Sequence, residues 1–202
     1  MRIIESNSKI EKRINKLLAN QITSALNKKK SIMRSRIIAI LETALLSSPE
    51  LNSLSSGSLR YDFGLEFDPS FEIINSIIST TRLSVRPIVS TGKSFKGGVS
   101  LYVQPSSYNN LLSLSVAYQS IKGGELPWLK WLLTAGDSVL IVDYGVEYGS
   151  GLGRSGGAKM KEGIGPFRVN PSFSGTVDDN FITRALSRYQ KEIIDTIEGA
   201  LK

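Results

Sequence analysis

The chain has 202 residues, 41% of them apolar and 21% charged, with no cysteine and no histidine. That length suits one domain with a substantial core, and the composition is neither that of a disordered chain nor that of a cross-linked one. The missing residue types exclude disulfides, thiolate chemistry, nearly all zinc sites and the usual general base near neutral pH, so no cofactor, metal site or catalytic residue is expected. The opening MRIIESNSKIEKR lacks the apolar run of a secretory signal, and no stretch approaches a membrane span, which predicts cytosolic synthesis and no membrane contact.

The formal charge of +7 is unevenly divided: residues 1–40 hold ten Lys or Arg against two acids, and the remaining residues hold fifteen against sixteen. The same basic segment repeats apolar residues at helical steps, from Ile10, Ile14, Leu17 and Leu18 through Leu26, Met33 and Ile37 to Leu45. Ser8 and Glu11 offer a capping box at its start, and Ser48 with Pro49 marks its stop. Unbroken, the helix within residues 1–48 would have about forty residues and span roughly 60 Å, longer than one core can cover. A break at Asn27–Lys30 would instead give two helices, and the spacing does not choose. Its cations Lys28, Lys29, Lys30, Arg34 and Arg36 have three readings: a solvated face, contact with nucleic-acid phosphates, or pairing with an acidic neighbouring subunit. No aromatic residue interleaves them, so any nucleic-acid contact would be to the backbone.

Residues 59–148 read as a helix-and-sheet core following the Ser-rich stretch Ser47–Ser58. Asp68 and Pro69 suit the start of an amphipathic helix through Ile73, Ile74, Ile77 and Ile78. Four strands are predicted: Arg82–Ser90, made an edge by Pro87; Val99–Gln104; Leu112–Gln119, which alternates cleanly; and Ser138–Tyr148, whose apolar run Val139–Val142 suggests a covered central strand. Between the last two, Trp128 and Trp131 either fill the core or anchor a subunit interface. Asp143 and Glu147 share one face of the fourth strand, and surface charge is a better reading of them than a catalytic pair.

Residues 149–175 open with a Gly-rich stretch, Gly149–Gly165, carrying Arg154, Lys159 and Lys161. Gly151, Gly153 and Gly156 match a dinucleotide fingerprint in spacing, but Gly163, Gly165 and Pro166 forbid the helix that would hold the pyrophosphate. The expectation is a long basic loop that orders against a partner, either a polyanion in a channel or an acidic patch on a neighbour. A closing helix over residues 176–202 begins at Thr176, with Asp178 and Asp179 in its first turn, and packs on the sheet. The fold class is α+β: a mostly antiparallel sheet of about four strands packed by a long N-terminal helix, short helices and a C-terminal helix.

In this order of parts, with Ser56-Gly-Ser-Leu-Arg60 and above all GPFRVNPSFSGTVDDNFITRAL over Gly165–Leu186, the chain resembles the neck or tail-completion (head–tail connector) structural proteins of tailed bacteriophages, of the contractile-tailed kind. The resemblance implies a non-enzymatic virion protein at the head–tail junction. It implies a homo-oligomeric ring, hexameric or else dodecameric, with DNA in its lumen and portal, adaptor and tail proteins as neighbours. Phe167 and Phe173 in the similar stretch join Trp128 and Trp131 as candidate interface anchors. Two alternatives stand beside it: a free nucleic-acid-binding protein acting through the basic helix, and a tail-terminator subunit capping the tail tube or sheath.

Overall fold

The computed structural model describes residues 6–92, 94–121 and 124–201. It is α+β, with a long N-terminal helix and a helical C-terminus as expected. Among the described residues its strands form three separate two-stranded antiparallel sheets, six strands in all, where one sheet of about four was predicted. The chain divides into two compact units, one of residues 1–40, 81–103 and 191–202, the other of residues 41–80 and 104–190.

Helix α1 (Asn7–Leu46) runs unbroken through Asn27–Lys30. Lysine and asparagine cost a helix little, and Leu26, Met33 and Ile37 on either side are buried and hold it in register. Its first turn is bonded to the Ser6 carbonyl, so Ser8 lies inside the helix and does not cap it. In the first unit α1 packs beside strands β1 (Arg82–Ser90) and β2 (Phe95–Tyr102), with Ala19, Leu26, Met33, Ile37 and Leu83 buried. Pro87 interrupts the β1–β2 ladder, whose register shifts between Arg86 and Val89. The freed Ile88 N–H donates instead to Thr23 Oγ1 of α1 at 2.9 Å. Opposite the bulge sits Gly97 at φ +120°, where a Cβ would stand 2.3 Å from the Pro87 carbonyl oxygen.

The second unit is mainly helical. Pro49 begins a new helix rather than a loop: α2 (Pro49–Ser56) is capped by Ser48, whose Oγ accepts from the Leu51 N–H, and α3 (Ser58–Asp62) follows at once. Asp68 accepts from the Ser70 N–H at the start of α4 (Ser70–Thr80), as the sequence suggested. The predicted strand Leu112–Gln119 is instead the end of α5 (Asn109–Leu112), a 3-10 turn at Ser115–Ala117, and one residue of a short hairpin, β3 (Gln119–Ile121) with β4 (Gly124–Leu126). Asn110 bonds to Ser76 of α4, which draws this segment into helical geometry against α4 rather than beside another strand.

Helix α6 (Trp128–Thr134) buries Trp128 completely, and the indole N–H donates to the Val116 carbonyl at 2.8 Å. The predicted central strand shortens to β5 (Tyr144–Tyr148), paired with β6 (Ala158–Glu162). Val139 and Val142 are 52% and 78% exposed, and Asp143 turns the chain at φ 63°, so the apolar run is not a covered strand. The closing helix is two, α7 (Phe181–Arg188) and α8 (Gln190–Glu198). Asn180, not Thr176, is the cap: its Oδ1 accepts from Ile182 and Thr183, and Thr183 Oγ1 accepts from the Asn180 N–H. No helix among the described residues is long and apolar enough to cross a membrane.

Candidate functional site

The Gly-rich stretch is a hairpin, which corrects the expectation of a long unpaired loop. Glycines at 149–157 make its tip, closed by Gly149 N–H to Gly157 O at 2.9 Å and Gly151 N–H to Gly156 O at 2.8 Å. Gly151, Gly153 and Gly156, the members of the apparent fingerprint, therefore turn the chain at left-handed angles, φ 76°, 64° and 76°, and open no helix. Gly157 lies flat on the Tyr61 ring, where a Cβ would come within 2.4 Å. Glycine is thus required where the hairpin meets α3.

That meeting contains the most perturbed ionisable pair of the described residues. Asp62, at the end of α3, is buried and accepts a hydrogen bond from the Tyr148 hydroxyl of β5. Burial pushes the Asp62 carboxyl up, and the Tyr148 bond only partly offsets it. Burial also pushes the Tyr148 hydroxyl well up, and the neighbouring Asp62 adds to the effect, so Tyr148 remains a donor. Tyr61, Asp62, Phe63, Arg154, Lys159 and Met160 line a cavity of about 230 Å³ beside the pair.

The three loop cations separate in role. Lys159 and Lys161 both reach Glu147, at 3.3 and 3.2 Å, and their hydrogen bonds hold the Glu147 carboxyl below its usual range. Arg154 is exposed and has no ion-pair partner among the described residues. Glu147 is thus a bridge between strands, and Asp143 sits outside β5 in a turn, so the two do not act as a carboxylate pair on one strand face.

Lys28, Lys29, Lys30, Arg34 and Arg36 are all exposed and lack an ion-pair partner among the described residues. They do not share one face. Lys29 and Arg36 are seven apart on one side, and Lys30 and Arg34 are four apart on another, about 130° round at roughly 100° per residue. Of the four aromatic anchor candidates, Trp128 and Phe167 are core residues, while Trp131 and Phe173 are half-buried. Phe63 stacks on Trp128 and Phe167, with centroids 5.4 and 6.3 Å apart, and Trp131 meets Phe167 at 6.1 Å.

Sequence reasoning missed one further charged group. Glu50 of α2 is only 3% exposed and pairs with Arg184 of α7 at 2.9 Å; Arg184 also donates to the Phe173 and Ser174 carbonyls. Glu50 Oε2 and Arg184 Nε are buried without hydrogen-bond partners. Glu50, Arg184, Arg188, Ser172 and Ser187 line a cavity of about 470 Å³. No local motif flags this pair, because its members are far apart in sequence and each looks like ordinary surface charge. Among the described residues no cluster of three or more acids could hold a metal ion. Comparison with protein-family models, curated proteins and solved structures gives no match.

Proposed function

We propose that the chain is a structural subunit, without catalytic activity, of an oligomeric ring at the head–tail junction of a tailed phage particle, surrounding the DNA channel. The observation that carries this reading is the surface of α1. Over a 40-residue helix it exposes Ile14, Leu17, Leu18 and Ile32, at 42–60%, together with Lys28, Lys29, Lys30, Arg34 and Arg36, which have no ion-pair partner among the described residues. Apolar side chains left in water along a helix mark contact with another chain. Unpaired cations beside them suit phosphates passing nearby. The neck or tail-completion position itself rests on the resemblance of Gly165–Leu186 and Ser56–Arg60 to that family. Electron microscopy of the purified chain is the test: closed rings of six or twelve copies are expected, and a field of separate 22.1 kDa particles would refute the reading.

A second reading, a free DNA-binding protein, is favoured by the same unpaired cations. It requires DNA retardation at low salt that weakens steeply as salt rises. A chain that leaves DNA unshifted at low salt removes it.

A further inference from the structure

Two surface features on different elements are both apolar and are opposite in charge. The first is the turn entering α4, where Phe67 and Phe71 are 81% and 73% exposed and are flanked by exposed Glu66, Asp68 and Glu72. Two large aromatic rings in water, ringed by three carboxylates, make an acidic apolar knob. Asp68 is held ionised there: burial alone would raise its carboxyl, but bonds from the Ser70 and Ser55 hydroxyls and the Ser70 N–H, with Arg60 nearby, bring it below the ordinary value.

The second feature is a groove in the first unit between α1 and β1. It is lined by Lys12, Lys16, Ala19, Asn20, Ile88 and Val89, with a volume of about 430 Å³. Ala19, Ile88 and Val89 give it an apolar lining, Val89 being 54% exposed, and Lys12 and Lys16 give it positive charge. Carboxylates flanking aromatic rings are what such a lining would attract and bury.

We propose that the Phe67–Phe71 knob of one copy docks into the α1–β1 groove of a second copy, giving a head-to-tail contact. This deepens the ring reading and rests on it. Knob and groove are different surfaces of the same chain, so the contact is heterologous, the type that closes into a ring or runs on as a filament. Two rings bury on the order of 300–500 Å², less than the roughly 800 Å² per partner of a stable interface. The knob is therefore the centre of a larger contact, not the whole of it.

The test uses the full chain and two variants altered only at exposed positions, F67R/F71R in the knob and K16E/V89E in the groove, each checked for native circular dichroism. Sedimentation velocity should show the unaltered chain assembled at about 100 μM and each variant alone at least tenfold weaker in self-association. An equimolar mixture of the two variants should give a dimer, because one intact knob and one intact groove remain. If the unaltered chain assembles and the variants assemble equally well, or their mixture stays monomeric, this contact is wrong while the ring reading survives with another interface. A monomeric unaltered chain overturns both.

Discussion

Burial raises the Asp62 carboxyl above its ordinary value of 3.8, so the folded chain holds that proton more tightly than the unfolded chain does. The sign follows directly. Below pH 3.8 the group is protonated in both states and costs nothing; as pH rises through the raised value, stability is lost and stays lost at neutral pH. Asp62→Asn keeps an acceptor for the Tyr148 hydroxyl and removes the buried charge. It should therefore be more stable than the unaltered chain at pH 7, with the difference vanishing below pH 3.8. Thermal melts of both proteins across that range would read it, and an equal or lower stability at pH 7 would contradict it. Gly97 is a second decisive residue. Gly97→Ala puts a methyl against the Pro87 carbonyl at a backbone angle that L-residues avoid, and should cost about 2 kcal/mol or more in urea unfolding. The glycine's presence is plain in the sequence, but its necessity is not, because the bulge at Pro87 that demands it appears only once the two strands are paired.

Between elements, α7 is tied to α2 by Glu50 and Arg184. Glu50→Ala leaves a guanidinium without its carboxylate. Fully buried pairs lose roughly 3–5 kcal/mol this way, but Arg184 is 33% exposed, so about 2 kcal/mol is expected in denaturant unfolding. A loss under a few tenths would mean that Asp179, whose carboxylate also lies 3.6 Å from Arg184, and the Phe173 and Ser174 carbonyls already suffice. Much of this level was legible from residue order. The strand Arg82–Ser90, its edge character at Pro87, the helix after Asp68 and the stop at Ser48 all follow from local chemistry that acts wherever the chain goes. The strand expected at Leu112–Gln119 failed for the opposite reason. Alternating apolar and polar residues suit a strand only if another strand lies alongside, and here Asn110 is engaged by α4 instead. Likewise Val139–Val142 looked covered because it is apolar, but only an isolated bridge from Ile141 to Phe167 pairs it, Leu140 and Ile141 are half-buried, and Val139 and Val142 stay exposed. The glycines at 149–157 suggested an open loop; their turn-forming angles close a hairpin whose second strand, Ala158–Glu162, is too polar to announce itself. The Asp62–Tyr148 and Glu50–Arg184 pairs were illegible, since each joins residues that only the fold brings together.

For the whole molecule, the charge division seen in composition persists as a surface property. The excess lies on α1, spread over more than one face, and no carboxylate among the described residues pairs with Lys28, Lys29, Lys30, Arg34 or Arg36. Together with the exposed apolar residues of α1 and the Phe67–Phe71 turn, this is the surface that the proposed ring would bury. A ring would satisfy it: apolar patches buried between neighbours, cations facing one another's acids or a polyanion in the lumen. Native mass spectrometry of the purified full chain would count the copies in such a ring. A dominant species at six or twelve times 22.1 kDa, dissociating as salt is raised, is expected; a single species at 22.1 kDa at every concentration would contradict the ring.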